Sequence, residues 1–149
     1  RRNIRKAEKS GVVIEVASDA GFAAEYAAQL KDVFAKQGLV PHYGVERVRA
    51  LVKHLQPTGR LLLLRARDPA GLCIATGIYP AMNQRVYYWG GASWREHQIL
   101  RPNELLHWHA MKYWKQRGIA LYNLVGNMDF KQKFGGRETA RVIAGVGVE

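Results

Sequence analysis

Residues 127–136, NMDFKQKFGG, combine two lysines, two phenylalanines and a Gly-Gly. A solvated loop has no need of Phe130 and Phe134, and a core segment does not accommodate Lys131 and Lys133. Two readings follow. The stretch is a short amphipathic turn that closes the fold, or it delivers a cation to a reaction site. Gly135 and Gly136 permit a tight turn. Asn127 can bind a substrate or cap the turn that follows it.

A second candidate group is Tyr87, Tyr88 and Trp89. Strand alternation puts Tyr87 and Trp89 on one face and Tyr88 on the other. One of those faces must be core, and a tyrosine on the open face can act as an acid or hold a substrate; Tyr88 is the candidate. Tyr43 and Arg47 lie just before and within a helix, where Arg47 can hold a phosphate or carboxylate bidentately. Glu104, in the first turn of a later helix beside Asn103, suits the helix dipole without any further role.

Other chemistries find less support. His107 and His109 are two apart on a helix and so diverge, which prevents them from gripping one ion. Cys73 sits inside a strand with no histidine beside it, and burial keeps such a thiol inert. There is no phosphate-binding loop signature and no GxGxxG after a strand.

The elements that must position these residues can be read along the chain. Residues 12–17, VVIEVA, are rich in β-branched side chains and read as a strand. Ser18 or Asp19 can cap the helix that follows. Its stripe is Phe22, Tyr26, Leu30, Val33 and Phe34, and Gly38 ends it. A second helix carries Val45, Val48, Leu51, Val52 and Leu55, with Pro57 and Gly59 as terminators. RLLLLRA (60–66) is a nearly continuous apolar run, as in a strand covered on both faces. Asp68-Pro69-Ala70-Gly71 is a type I turn sequence. LCIATGIY (72–79) and RVYYWGG (85–91) are two more strands, joined around Asn83 in an antiparallel meander.

A loop then leads to a helix starting at Pro102, a favoured first-turn residue. Apolar residues cover most of its circumference, which predicts a buried helix closed by Gly118. ALYNLV (120–125) is a strand, 127–136 a single helical turn, and ETARVIAGVGV (138–148) a last strand. The order is β, α, α, β, β, β, α, β, short α, β. It describes an α+β domain with a mixed, largely antiparallel sheet. One crossover helix joins the fourth and fifth strands, and that pairing should be parallel.

The bulk numbers agree with one domain of 149 residues, with 48% hydrophobic and 23% charged content. No apolar run approaches the ~20 residues of a membrane helix, and the basic N-terminal stretch lacks the apolar segment of a secretion signal. The single cysteine allows no internal disulfide, and a cytoplasmic setting is the default. A net charge of +11 favours an anionic partner, such as a nucleotide, a nucleic acid or an anionic headgroup. The N-terminal RRNIRKAEK carries five basic residues and one acidic one. It reads as a basic arm on nucleic acid, or as a helix whose apolar partner lies elsewhere, in another domain.

The element order resembles the fold of the GNAT acyltransferases. In that fold the fourth and fifth strands splay apart and the acyl donor lies in the gap. The blocks RNIRKAEKSGV, YWGGAS, PNELLHWHAMKYWKQRGI, LYNLVGN and FKQKFGG together resemble the Fem-type aminoacyltransferases, which build peptide bridges in bacterial cell-wall precursors. The resemblance spans nearly the whole chain. Members of that family normally carry two GNAT-like units, and this sequence resembles the second unit with the end of the first. Residues 1–11 would then be a helical extension or a remnant of a preceding unit, and a homodimer or a missing unit would complete the groove.

The resemblance implies acyl transfer to an amine acceptor, a peptidoglycan precursor being one candidate. It implies no permanently bound cofactor, the donor being aminoacyl-tRNA or acyl-CoA. The FK pair of the family matches Phe130-Lys131, with Lys131 stabilising the oxyanion and Phe130 packing beside it. Tyr43, Arg47, Trp89 and Asn127 fall where substrates bind, with Tyr43 and Arg47 on the acceptor side. The glycine-rich loop that holds a CoA diphosphate in ordinary GNAT enzymes is altered here, since GGASWREHQILRPNE lacks the later glycines. The alternatives are a CoA-dependent N-acetyltransferase without that loop, and a non-catalytic basic domain that holds RNA or another anionic polymer.

Overall fold

The run Leu61–Leu64 lies at the middle of the sheet and is buried throughout. We describe the chain from a computed structural model covering residues 1–125, 134, 135 and 137. β1 (Val13–Val16) pairs antiparallel with β2 (Leu61–Arg67), and β2 with β3 (Cys73–Met82). β3 then pairs antiparallel with two successive short strands, β4 (Arg85–Tyr87) and β5 (Gly90–Ser93). β6 (Leu121–Asn123) runs parallel to β4. The crossover from β4 to β6 is therefore parallel, as the element order predicts.

Helices cover both faces, which is why β2 shows no polar alternation. On one face lie α1 (Arg2–Lys9) and α4 (Pro102–Gln116), over Leu62, Leu64, Ala66 and Val86. On the other lie α2 (Phe22–Ala35) and α3 (Val45–Leu55), over Leu61, Leu63, Ile78 and Ala92. Each fully buried leucine stabilises the fold by roughly 1.5–3 kcal/mol. Gln29 of α2, also buried, ties its helix to β3: it accepts from the Thr76 hydroxyl at 2.8 Å and donates to the Cys73 carbonyl at 3.1 Å. Among the described residues no helix is long and apolar enough to cross a membrane.

Several boundaries differ from those read in the sequence. Neither Ser18 nor Asp19 caps α2, whose N-cap is Gly21. Asp19 accepts the Gly21 N–H at 3.0 Å but is otherwise bound to buried Arg65, a stronger claim than a helix terminus makes on it. The partner of the basic N-terminal helix is α4 of this chain, not another domain: Ala7 and Ile4 join the core, and Asn3 donates to Glu104 at 3.0 Å. α4 is mostly buried between the sheet and α1, but Trp108 is 39% exposed, with Lys112 over its ring. Asn83 and Gln84 both have positive φ, so the β3–β4 connection is a two-residue type I′ hairpin turn. The helical turn at 127–136 lies almost wholly outside the described residues, and the strand at 138–148 lies entirely outside them.

Candidate active site at the break between β5 and β6

The sequence suggests one strand over 85–91, but the chain inserts an extra residue there. Ala81 faces Val86, whereas Ile78 faces Gly90, so the register against β3 slips by one residue between β4 and β5. This is a β-bulge at Trp89-Gly90, which both oppose Ile78. The Tyr88 N–H donates to Asn123 O of β6 at 2.9 Å, while the Trp89 N–H turns to Ile78 O of β3 at 3.1 Å. β6 ends at Asn123, and β5 continues beside β3 with no strand on its other side among the described residues. The Trp94 N–H donates to Ile74 O at 3.0 Å. By alternation, Gly91 and Ser93 therefore aim their N–H groups away from β3, into the opening.

Three glycines make room around this break, each for a tyrosine. A Cβ on Gly90 would collide with the Tyr26 hydroxyl, one on Gly91 with the Tyr88 hydroxyl, and one on Gly77 with the Tyr79 ring. Gly77 and Gly91 are cross-strand partners. The rings over them, Tyr79 and Tyr88, stack with centroids 5.9 Å apart. A glycine inside a strand commonly marks such a close approach.

Strand alternation sends the candidate residues to two faces. Tyr88 lies on the α4 face, with its ring 4.4 Å from that of buried His107. His107 Nδ1 is 2.9 Å from the Tyr122 hydroxyl, and Phe134 lies against the imidazole at 5.3 Å. Trp89 lies on the α2 face, its ring 5.2 Å from Tyr43. There the Tyr43 and Tyr26 hydroxyls are 2.8 Å apart, and Arg47 sits 5.4 Å over the Tyr43 ring. The structure thus gathers Tyr43, Arg47 and Trp89 on one side of the break and Tyr88 on the other. Lys131, Phe130 and Asn127 lie outside the described residues.

Burial pushes the Tyr88 hydroxyl up to about 12, with a smaller contribution from Tyr43. Burial likewise raises Tyr26, Tyr79 and Tyr122. At neutral pH these four phenols are proton and hydrogen-bond donors, not bases. Two more side chains fix the far end of β5: Gln98 and Asn103 each donate to Ser93 Oγ at 3.2 Å. That pairing pins the first turn of α4 to the strand.

Sequence reasoning missed Tyr26, Gly77, His107 and Tyr122. Tyr26 read as a stripe residue of a helix and His107 only as one of two diverging histidines, and their polar partners lie 17 and 15 positions away in the chain. A glycine inside LCIATGIY was the available signal for Gly77. His107 and His109 diverge as expected, the first buried and the second half-exposed.

A family model for the acetyltransferase (GNAT) domain matches residues 1–132. The chain belongs to the GNAT acetyltransferase family. Its fold is similar to that of FemX, with a TM-score of 0.76 at 16% identity over 85% of this chain. The GNAT domain spans only 48% of the FemX chain. Its fold is also similar to an aminoglycoside antibiotic 6'-N-acetyltransferase, AAC(6')-Ih from Acinetobacter baumannii: TM-score 0.60, 18% identity, 93% of this chain and 99% of that one. A predicted acetyltransferase from Clostridium acetobutylicum, solved with acetyl-CoA, gives a TM-score of 0.66 at 14% identity over 89% of this chain and 94% of that one. No curated protein sequence matches this chain. These likenesses establish the fold, and the family model establishes the acyltransferase class.

Proposed function

We propose that this GNAT domain transfers an acyl group from an acyl-CoA thioester to an amine at the break between β5 and β6. The observation that carries this reading is the open edge of β5, where Gly91 and Ser93 present N–H donors beside a one-residue bulge. The arm of an acyl-CoA contains two amides, and an extended amide chain pairs with such an edge as an added strand would. The thioester carbonyl then lies at the bulge. The amine approaches from the α2 face, past Tyr43 and Trp89, and its nitrogen bonds to the carbonyl carbon. The C–S bond breaks, the amine loses a proton to solvent, and the leaving sulfur takes one. Tyr88, protonated on the α4 face, is the proposed donor of that proton.

The resemblance of FKQKFGG to the Fem-type blocks supports Lys131 as the cation that meets the oxyanion. A preorganised donor at that position contributes about 10²–10³ in turnover. Lys131→Ala should therefore lower kcat by about that factor, with the unfolding midpoint unchanged. Unchanged turnover would remove Lys131 from the mechanism. Arg95, which opens the 3-10 turn Arg95–Leu100, and Arg101, which follows it and lies 4.0 Å from Glu104, supply positive charge for the donor's phosphates where the usual glycine loop is absent.

A second reading keeps aminoacyl-tRNA as donor and a cell-wall precursor as acceptor. It is supported by the altered diphosphate loop, the net charge of +11 and the FemX-like fold. Thermal denaturation with acetyl-CoA, aminoacyl-tRNA and deacylated tRNA separates the readings. A saturating ligand at 100 times its dissociation constant stabilises by roughly 2.7 kcal/mol. Stabilisation by acetyl-CoA alone supports the first reading. A shift with aminoacyl-tRNA that deacylated tRNA does not reproduce supports the second. An equal, steeply salt-dependent shift with both RNAs supports a non-catalytic binding domain instead.

A further inference from the structure

The sequence of α2 places alanines at 27, 28 and 35, where a tightly packed surface helix would carry larger side chains. The α2–α3 connection then brings Leu39, Val40 and Pro41 opposite them. Between the two lies a cavity of about 720 Å³, inside the size range of small-molecule sites. Its inner end is the Tyr26–Tyr43 hydroxyl pair, which touches the bulge at Gly90. The groove therefore borders the bulge at Gly90.

Its lining is mostly apolar. Leu39 and Val40 stand 55% and 81% exposed, an apolar wall that an equally apolar ligand would remove from water. The charge on it has one sign. Lys31 and His42 line the groove, and Arg47 stands over the ring of Tyr43, another lining residue. Among the described residues no carboxylate lines it. The nearest acids on the two helices are engaged elsewhere: Asp32 with Lys36, Glu46 with Arg49, and Glu25 with Arg65. Lys31 and Arg47 have no carboxylate partner among the described residues.

We infer that the acceptor is an amine whose own molecule carries a carboxylate and an apolar body, the class of a short apolar peptide with free ends. The inference rests on the amine-acylation reading and specifies what that site accepts. The apolar side chains lie along Ala27, Ala28, Leu39 and Val40, the carboxylate meets Lys31 and Arg47, and the amine reaches the bulge. A polycation such as an aminoglycoside meets unpaired cations of its own sign and no counter-charge, so the groove rejects it by repulsion as well as by the lack of partners. This separates the domain's specificity from that named for its relative in Acinetobacter baumannii.

The test uses the whole chain and four probes: the tripeptide Leu-Leu-Ala, its C-terminal amide, Gly-Gly-Gly and kanamycin. Binding is read by calorimetry with no donor present, and acylation is read separately with acetyl-CoA. Leu-Leu-Ala should bind about tenfold tighter than its amide, the effect of one charge-assisted hydrogen bond. It should exceed Gly-Gly-Gly by at least that factor, and kanamycin should not bind. Arg47→Met should bring the acid and the amide to within about threefold of each other. Equal affinity for acid and amide, no binding of Leu-Leu-Ala, or preferred binding of kanamycin overturns the inference. Binding of the acid without acetyl transfer refutes the transfer reading and leaves the groove's specificity standing. Transfer to all amines alike does the reverse.

Discussion

Two polar clusters lie on the same sheet, and they are built on opposite plans. At Arg65 a buried guanidinium is surrounded by three carboxylates: Glu15 at 3.2 Å, Asp19 at 2.6 Å and Glu25. Every strong charge there has a counter-charge, and the cluster joins β1, β2 and α2. At the bulge the polar groups are phenols, their space is made by glycines, and Lys31 and Arg47 lack carboxylate partners among the described residues. The first cluster stabilises the fold and presents nothing to a ligand. The second leaves hydrogen-bonding capacity and positive charge facing an opening. Satisfied charge marks a joint, and withheld satisfaction beside an opening marks a site.

The largest effect that separates them should come from Tyr88→Phe. The change removes one hydroxyl and little packing. If Tyr88 supplies the proton to the leaving group, kcat should fall by about 10²-fold, some 2.7 kcal/mol. The unfolding midpoint in urea should stay within error. A loss of stability with kcat preserved would place Tyr88 with Arg65, as a structural residue.

Asp19→Ala should do the opposite. Arg65 loses its bidentate partner and keeps Glu15 and Glu25. Removing one member of a fully buried pair costs about 3–5 kcal/mol, but Asp19 is more than half exposed, so about 2 kcal/mol is expected in urea denaturation. Turnover per folded molecule should not change. The pH dependence has a definite sign. Hydrogen bonds from Arg65 hold the Asp19 carboxyl well below the usual carboxylate range, and Arg67 and Arg65 lower Glu15. Groups with depressed folded pKa contribute stability above their unfolded values and lose it as pH falls. The wild type should therefore lose stability below about pH 4, and Asp19→Ala should show a shallower loss. An identical acid limb in both proteins would remove Asp19 from this account.

Much of this arrangement was legible in the residues. Element order as far as β6, the parallel crossover and the uninterrupted burial of Leu61–Leu64 follow from periodicity and turn chemistry, because those signals are local. The opposite faces of Tyr88 and Trp89 follow from alternation. The bulge was not legible: YYWGG reads as one strand, and the extra residue shows only against the register of β3. Arg65 was not legible as a hub, because its partners lie 40 to 50 positions away in the chain. Tyr26 was assigned to a helix stripe, correctly, while its hydroxyl does the work of joining α2 to the bulge. Periodicity reports which face a side chain takes and not which polar atom it meets.

A smaller effect should follow from Gly90→Ala. The added methyl meets the end of the Tyr26 side chain, which must give way and part from Tyr43. Overpacking of this kind costs about 1 kcal/mol where the displaced group is a side-chain end. The bulge sits between donor and acceptor, so KM for the amine should rise about threefold to tenfold for the same free energy. A stability change with KM untouched would show that the Tyr26–Tyr43 pair is packing alone.

The smallest effect sharpens the role of Arg47. Arg49 lies two positions further along α3 and is paired with Glu46, both side chains being more than half exposed. An i,i+3 surface pair contributes about 0.2–0.5 kcal/mol, so Arg49→Ala should leave stability almost unchanged. It removes the same unit of charge from the same helix as Arg47→Met. If the acceptor's carboxylate responds only to the overall positive field, the two variants should weaken binding of Leu-Leu-Ala equally. If it is held beside the groove, Arg49→Ala should leave the preference for acid over amide intact while Arg47→Met erases it. Charge on a solvated face steers a ligand over roughly a Debye length, ~8 Å at physiological salt, whereas a guanidinium beside the groove pairs with it directly. Raising the salt concentration should therefore suppress any effect of Arg49 and leave most of the Arg47 effect in place.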